Sequence, residues 1–193
     1  MQIDKSVRAV ERLFSEVDKS TQNFFKNVSL KCPTGCTKCC HGQKVAAAPL
    51  EFLPYAYSLY KEGKLEEQYW NLKTRSSASG CFLIEGDDPN GPGRCSAYAY
   101  RGMICRLFGS SASIHKNGTK IYSGCSILKS QIDEVSKFDS ALQKYAPVYS
   151  DFYMKLRAID NEYGAMMFPI NLAILKSMEL VYYTTRRKRK RSV

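Results

Sequence analysis

Histidine is scarce: the chain has two, His41 and His115, in 193 residues. No G-x-S-x-G turn is present, so serine- or cysteine-type hydrolase chemistry has little to stand on. No G-x-G-x-x-G loop follows a strand, which speaks against a Rossmann-type cofactor site. Long apolar runs are missing too. The most apolar late segment, Phe168 to Tyr183, is interrupted by Lys176 and Glu179 and is short for a bilayer. No apolar h-region or small-residue cleavage site follows Met1-Gln2-Ile3-Asp4-Lys5. The expectation is a cytoplasmic protein whose thiols stay reduced. Acidic residues number 18 against 29 basic ones, a formal net charge of +11. Six of those charges belong to Arg186, Arg187, Lys188, Arg189, Lys190 and Arg191, leaving the body near +5 (11 minus 6). Eight ionised thiols without a metal would take that below zero, so a global case for nucleic-acid binding is weak.

What the chain has in abundance is cysteine. Four thiols fall within nine residues of Cys32-Pro33-Thr34-Gly35-Cys36-Thr37-Lys38-Cys39-Cys40-His41, spaced C-x3-C-x2-C-C. Pro33 and Gly35 make a tight loop of it. Neighbouring Cys39 and Cys40 cannot pair with each other without strain. Crowded thiolates repel, and a bound cation removes that cost, so the loop reads as a metal cradle. Cys81, Cys95, Cys105 and Cys125 follow on separate segments bounded by loops. All eight lie between positions 32 and 125, and none lies in the flanking helices.

The apolar content, 44%, is that of a globular chain. Ile3, Val7, Val10, Phe14, Val17, Thr21, Phe24 and Val28 recur at alternating spacings of four and three and predict a long amphipathic helix. Its stripe fits packing on its own domain or a dimerising coiled coil. Further helices are expected after Pro49, over 65–76, on both sides of Pro147 and after Pro169. The last should turn Leu172, Leu175, Met178, Leu180 and Val181 inward. Ile127, Leu128, Ile132, Val135, Phe138 and Leu142 carry the helical pattern before Pro147. Asn117-Gly118 between β-prone runs predicts a hairpin. The fold class is mainly α (α+β): a single helical domain, 1–193, with irregular cysteine-bearing loops and a small β-hairpin. Residues 32–125 form its metal-binding core, and 186–193 a basic flexible tail that suits an anionic partner.

Eight thiolates suit two four-coordinate sites or one polynuclear cluster, so at least two metal atoms are expected. Such donors select zinc, cuprous copper or iron–sulfur centres over magnesium or calcium. The adjacent Cys39 and Cys40 point in different directions, to serve different metals or bridge two. Arg101 and Arg106 flank Cys105 and would offset thiolate charge or donate hydrogen bonds to sulfur. Tyr98 would hydrogen-bond in the same way or belong to the core. His41 is an additional ligand or a hydrogen-bonded histidine.

The first motif, Cys81, then Cys95-x-x-Tyr98-x-x-Arg101-x-x-x-Cys105-Arg106, then Cys125, resembles the YkgJ-type cysteine-cluster proteins over roughly 32–125. The resemblance implies a zinc- or iron-chelating domain whose ligands would be Cys32, Cys36, Cys39, Cys40, Cys81, Cys95, Cys105 and Cys125. Two departures stand out: C-x3-C where that family has C-x2-C, and Gly102 where it has proline. A related cluster in the flagellin lysine methylases suggests a metal- or Fe–S-dependent enzyme as an alternative. A third possibility is an interaction module stapled by structural metal. The spacing Cys32-x3-Cys36-x2-Cys39 also matches radical SAM enzymes, but no alternating strand–helix repeats follow to build their barrel.

Overall fold

The stripe on the first helix sets the layout. The computed structural model describes residues 2–42, 45–75, 80–86, 88 and 91–191, with residues 187–191 as backbone only. Helix α1 (Ile3–Asn27) buries Ile3, Val7, Val10, Phe14, Val17, Thr21 and Phe24. It packs on α3 (Leu53–Lys61), α5 (Met103–Leu107), α7 (Val135–Tyr145) and α8 (Tyr149–Ile159). Its apolar face is therefore covered by the chain's own helices. The coiled-coil dimer that the same stripe would fit has no face left to use, because intramolecular packing has removed it from water.

The cysteine loop holds a short helical turn, α2 (Lys38–His41), and leads to strand β1 (Ala46–Ala47). A 3-10 turn, Pro49–Phe52, enters α3; α4 (Leu65–Thr74) follows, one residue past Lys64. Then come β2 (Ile84–Glu85), β3 (Arg94–Cys95), a 3-10 turn at Tyr98–Tyr100 and α5. The Asn117-Gly118 hairpin is present as β4 (Ala112–Ile114) and β5 (Lys120–Tyr122), in register Ser113 to Ile121. Helix α6 (Ser126–Lys129) comes next, and α7 and α8 lie on either side of Pro147 as expected. After α9 (Asn161–Ala165), strand β6 (Phe168–Pro169) pairs antiparallel with β1 and opens α10 (Ile170–Arg191). Among the described residues the strands form three two-stranded ribbons, and helices dominate.

One large core joins α1, α3, α8 and α10; a smaller one gathers Phe24, Ala112, Leu142 and Ala146 under the hairpin. The inward face of α10 is Ile170, Ala173, Ile174, Ser177, Met178, Leu180 and Val181, with Leu175 half-buried against the same core. Leu172 is instead 38% exposed, and Val135 on α7 faces water at 63%. The small residues Ala173 and Ser177 win the inside of α10 because that helix lies against the 3-10 turn, α3 and β1 at close range. Helical backbone continues through Arg191 along the basic run. No helix among the described residues is long and apolar enough to cross a membrane.

Candidate metal centre

Pro33 to Cys36 is a β-turn closed by the Cys36 amide donating to the Pro33 carbonyl at 3.1 Å. Gly35 takes φ +75° at its third position, the left-handed conformation of a type II turn. The turn brings Cys32 and Cys36 together, and a second one, Cys40 amide to Thr37 carbonyl at 2.8 Å, starts α2. There the Cys39 and Cys40 sulfurs lie 4.0 Å apart. Zinc–sulfur bonds of about 2.3 Å at tetrahedral angles set ligand sulfurs ~3.8 Å apart. The two neighbours therefore stand side by side, and do not point apart as their adjacency in sequence suggested.

The remaining thiols are carried to this loop by backbone bonds. Cys81 donates its amide to the Cys40 carbonyl at 2.7 Å. Asn171 on α10 brackets Cys81: its Oδ1 accepts from the Phe82 amide at 2.7 Å and its Nδ2 donates to the Gly80 carbonyl at 3.0 Å. Cys95 faces Ile84 across the β2–β3 ribbon, and the Gly93 amide bonds the Gly35 carbonyl at 3.1 Å. Cys105 rides on α5, whose start is held by the carboxylate of Glu51, accepting from the Ile104 amide at 2.8 Å. Cys125 caps α6, and Gln131 just beyond makes two bonds to the backbone of Lys31, at 2.9 and 3.0 Å. That pair ties the Cys125 segment to the residue before Cys32.

Their charges register this convergence. The sulfur–sulfur hydrogen bond with Cys40 pulls Cys39 down to about 7, with Arg101 adding a smaller pull. The same bond holds Cys40 well above the usual thiol range, reinforced by burial and by the charges of Cys39, Cys81 and Cys105. Cys81 is lifted to about 11, chiefly by burial, with Cys95 and Cys39 contributing. Burial also raises Cys105, with Cys81, Glu51, Cys39 and Cys95 contributing. Cys32 is raised by burial and then by Cys36, Cys39 and Cys125. Thiols held in the neutral state this way must lose protons to a metal when one binds. Among the described residues, no group of three or more His, Cys, Asp or Glu side chains stands close enough to hold a metal ion without moving.

Residues 31–138 match the family model CxxCxxCC, whose description reads "Putative zinc- or iron-chelating domain". The chain belongs to the CxxCxxCC family. No curated protein and no solved structure matches it. Its donor set, eight free thiols, is what the family's zinc or iron would take. A second observation agrees. Buried polar atoms without a hydrogen-bond partner include Thr37 Oγ1, His41 Nε2 and Arg101 Nε. Thr37 and His41 flank the Cys39–Cys40 pair, and Arg101 is the cation whose charge acts on Cys39 and Cys95. Each of these three polar atoms is left without the hydrogen bond that buried polar groups normally make.

The residues around the ligands divide in an order the sequence did not reveal. Arg106 is turned away to α1: it pairs with Asp18, donates to the Arg101 carbonyl at 3.0 Å and the Ala99 carbonyl at 2.6 Å, and lies 4.5 Å from the Phe14 ring centre. It braces the turn before Cys105. Tyr98 is neither core nor hydrogen-bonded to the site; it is 62% exposed, with the Arg101 guanidinium 4.2 Å from its ring centre. Gly102 keeps φ −60° and ψ 164°, the backbone of the proline it replaces, and a Cβ there would come 2.9 Å from the Phe52 ring. Glu51, Asp18, Asn171 and Gln131 were missed by reading the sequence. Glu51 alone left a trace, as the single charge in Pro49-Leu50-Glu51-Phe52-Leu53-Pro54.

Proposed function

We propose that this chain is a metal-binding protein that takes up zinc or iron, at least two atoms, on Cys32, Cys36, Cys39, Cys40, Cys81, Cys95, Cys105 and Cys125. The observation that carries the reading is that backbone bonds draw the thiol-bearing segments to one loop: the Cys81 amide to the Cys40 carbonyl, the Gly93 amide beside Cys95 to the Gly35 carbonyl, and Gln131 beyond Cys125 to Lys31, with the Cys39 and Cys40 sulfurs 4.0 Å apart. Arg101 serves the site through its idle Nε–H, and His41 through Nε2, as donors to sulfur or, for His41, as a further ligand. A thiol-only site of this density calls for a reducing compartment, and a cytoplasmic location belongs to the proposal. The bound cation supplies charge neutralisation that hydrogen bonds alone do not give to eight clustered thiolates.

The test is metal content per chain after purification without oxygen, read with the absorption spectrum. Zinc leaves the protein colourless. An Fe–S centre gives sulfur-to-iron bands near about 400 nm. A protein that is folded and free of metal would defeat the reading.

A further inference from the structure

The eight thiols are not one uniform set. Cys81 belongs to the main core, and Cys40, Cys95 and Cys105 pack against it. Cys32, Cys36, Cys39 and Cys125 belong to neither core cluster; Cys32 and Cys39 are exposed and the other two half-buried. Most backbone ties follow the same division; the Gly93 amide bond to the Gly35 carbonyl, which joins the Cys95 ribbon to the Cys36 turn, crosses it. Cys40 is bonded to Cys81, the Cys81 segment pairs with Cys95, and Asn171 and Glu51 anchor Cys81 and α5 to the large core. Cys32 and Cys36 share one turn, and Cys125 reaches them through Gln131 at the surface.

We propose, on the reading that these thiols bind metal, that the centre has two compartments joined by Cys39. The inner one is closed and formed by Cys40, Cys81, Cys95 and Cys105. The outer one is open, formed by Cys32, Cys36 and Cys125, and exchanges its metal with thiol ligands in solution. Cys39 stands 4.0 Å from Cys40 on the inner side, and on the other side it shares the exposure of Cys32 and lies outside both cores, like Cys36 three residues before it. It is therefore the bridging thiolate. Ligand exchange needs an incoming sulfur to reach the ion. The outer group offers that access more readily: Cys32 is exposed and Cys36 and Cys125 pack on neither core, whereas Cys81 lies in the main core and Cys40, Cys95 and Cys105, though half-buried, pack against it. The outer ion is the one the protein can accept from, or pass to, another thiol carrier, while the inner ion holds the loops together.

The experiment uses the full chain, purified without oxygen, loaded with Zn²⁺ and challenged with a chromophoric zinc chelator. Two classes of zinc are expected in equal amounts, the second leaving at least about tenfold more slowly. Cys125→Ser and Cys32→Ser should abolish the fast class and leave the slow one. Cys105→Ser should remove the slow class, and Cys39→Ser should disturb both. A single class, or loss of the same class in Cys125→Ser and Cys105→Ser, overturns the division while leaving metal binding intact. Should Cys105→Ser fail to fold, Cys125→Ser decides alone: the division stands if the slow class survives and falls if it does not. A wild-type chain that takes up no zinc overturns the parent reading and this one with it.

Discussion

Glu51 is fully buried, and its two oxygens join three elements. Oε1 accepts from the Ala48 amide at 2.7 Å and the Tyr153 hydroxyl at 2.8 Å, and Oε2 accepts from the Ile104 amide at 2.8 Å. Burial pushes its carboxyl from 4.5 up to about 7, against the downward pull of those donors. Between those two values the folded chain holds a proton that the unfolded chain releases, so stability must fall as pH rises through the window. The gap between 4.5 and about 7, at ~1.36 kcal/mol per pH unit, comes to about 3 kcal/mol. That contribution is fully present below 4.5 and gone above about 7. Glu51→Gln carries no proton to release, so the variant lacks this slope. Its amide NH₂ must face one of the donors, which costs roughly 1–2 kcal/mol at all pH values. Urea unfolding of both proteins from pH 4.5 to 8, with zinc in fixed excess, isolates the effect, because thiol titration is common to the two. The stability of wild type minus variant should drop by about 3 kcal/mol across the window. A difference that stays constant would show that Glu51 is ionised in the fold throughout, and that its donors outweigh its burial.

Asp18→Asn removes the charged partner of Arg106, whose side chain is 7% exposed while Asp18 is 34% exposed. Stranding a buried charge costs about 3–5 kcal/mol; with two carbonyls still holding the guanidinium and Asp18 near water, a loss of about 1–2 kcal/mol in a denaturant melt is expected, and an unchanged midpoint would show the pair idle. Gly80→Ala places a Cβ 2.7 Å from the Cys40 carbonyl and 3.0 Å from the His41 Cα, both backbone. The Cys81 amide bond to Cys40 must give way, with a cost of about 1–3 kcal/mol and a loss of the slowly released zinc; full retention of that zinc would refute the role given to this contact.

The long helices were legible because they announce themselves by period, whereas the short ones at Lys38–His41, Met103–Leu107 and Asn161–Ala165 do not, and the pattern from Ile127 to Leu142 is split between Ser126–Lys129 and Val135–Tyr145. The α1 stripe, the break at Pro147 and the Asn117-Gly118 turn all depend on neighbours in sequence. The misread positions share one cause. Leu172 and Val135 are apolar at helical spacing, yet Ala173 and Ser177 take the inside of α10, since what lies close to a helix decides which face is buried. Pattern weighs residue size and greasiness; it does not weigh the distance to the next element. The candidate ligands were legible from composition alone. Which of them shares a compartment was not, because that depends on Asn171, Glu51 and Gln131, ordinary polar residues whose partners lie 89, 53 and 100 positions away.

The family match spans 31–138, but the site is not completed within it. Asp18 on α1 fixes Arg106 and so the turn before Cys105. Tyr153 on α8 shares the Glu51 carboxylate that starts α5. Asn171 on α10 holds the backbone on both sides of Cys81. Each of these three comes from a helix outside the matched region, and each acts on a cysteine of the inner group. The outer group has a different kind of support: the Gly35 turn, the Gly93 contact and the Lys31–Gln131 pair all lie within 31–138. The flanking helices thus rigidify one half of the centre and leave the other to local turns. Unequal support of this kind is what a protein needs if one metal is to stay while its neighbour exchanges.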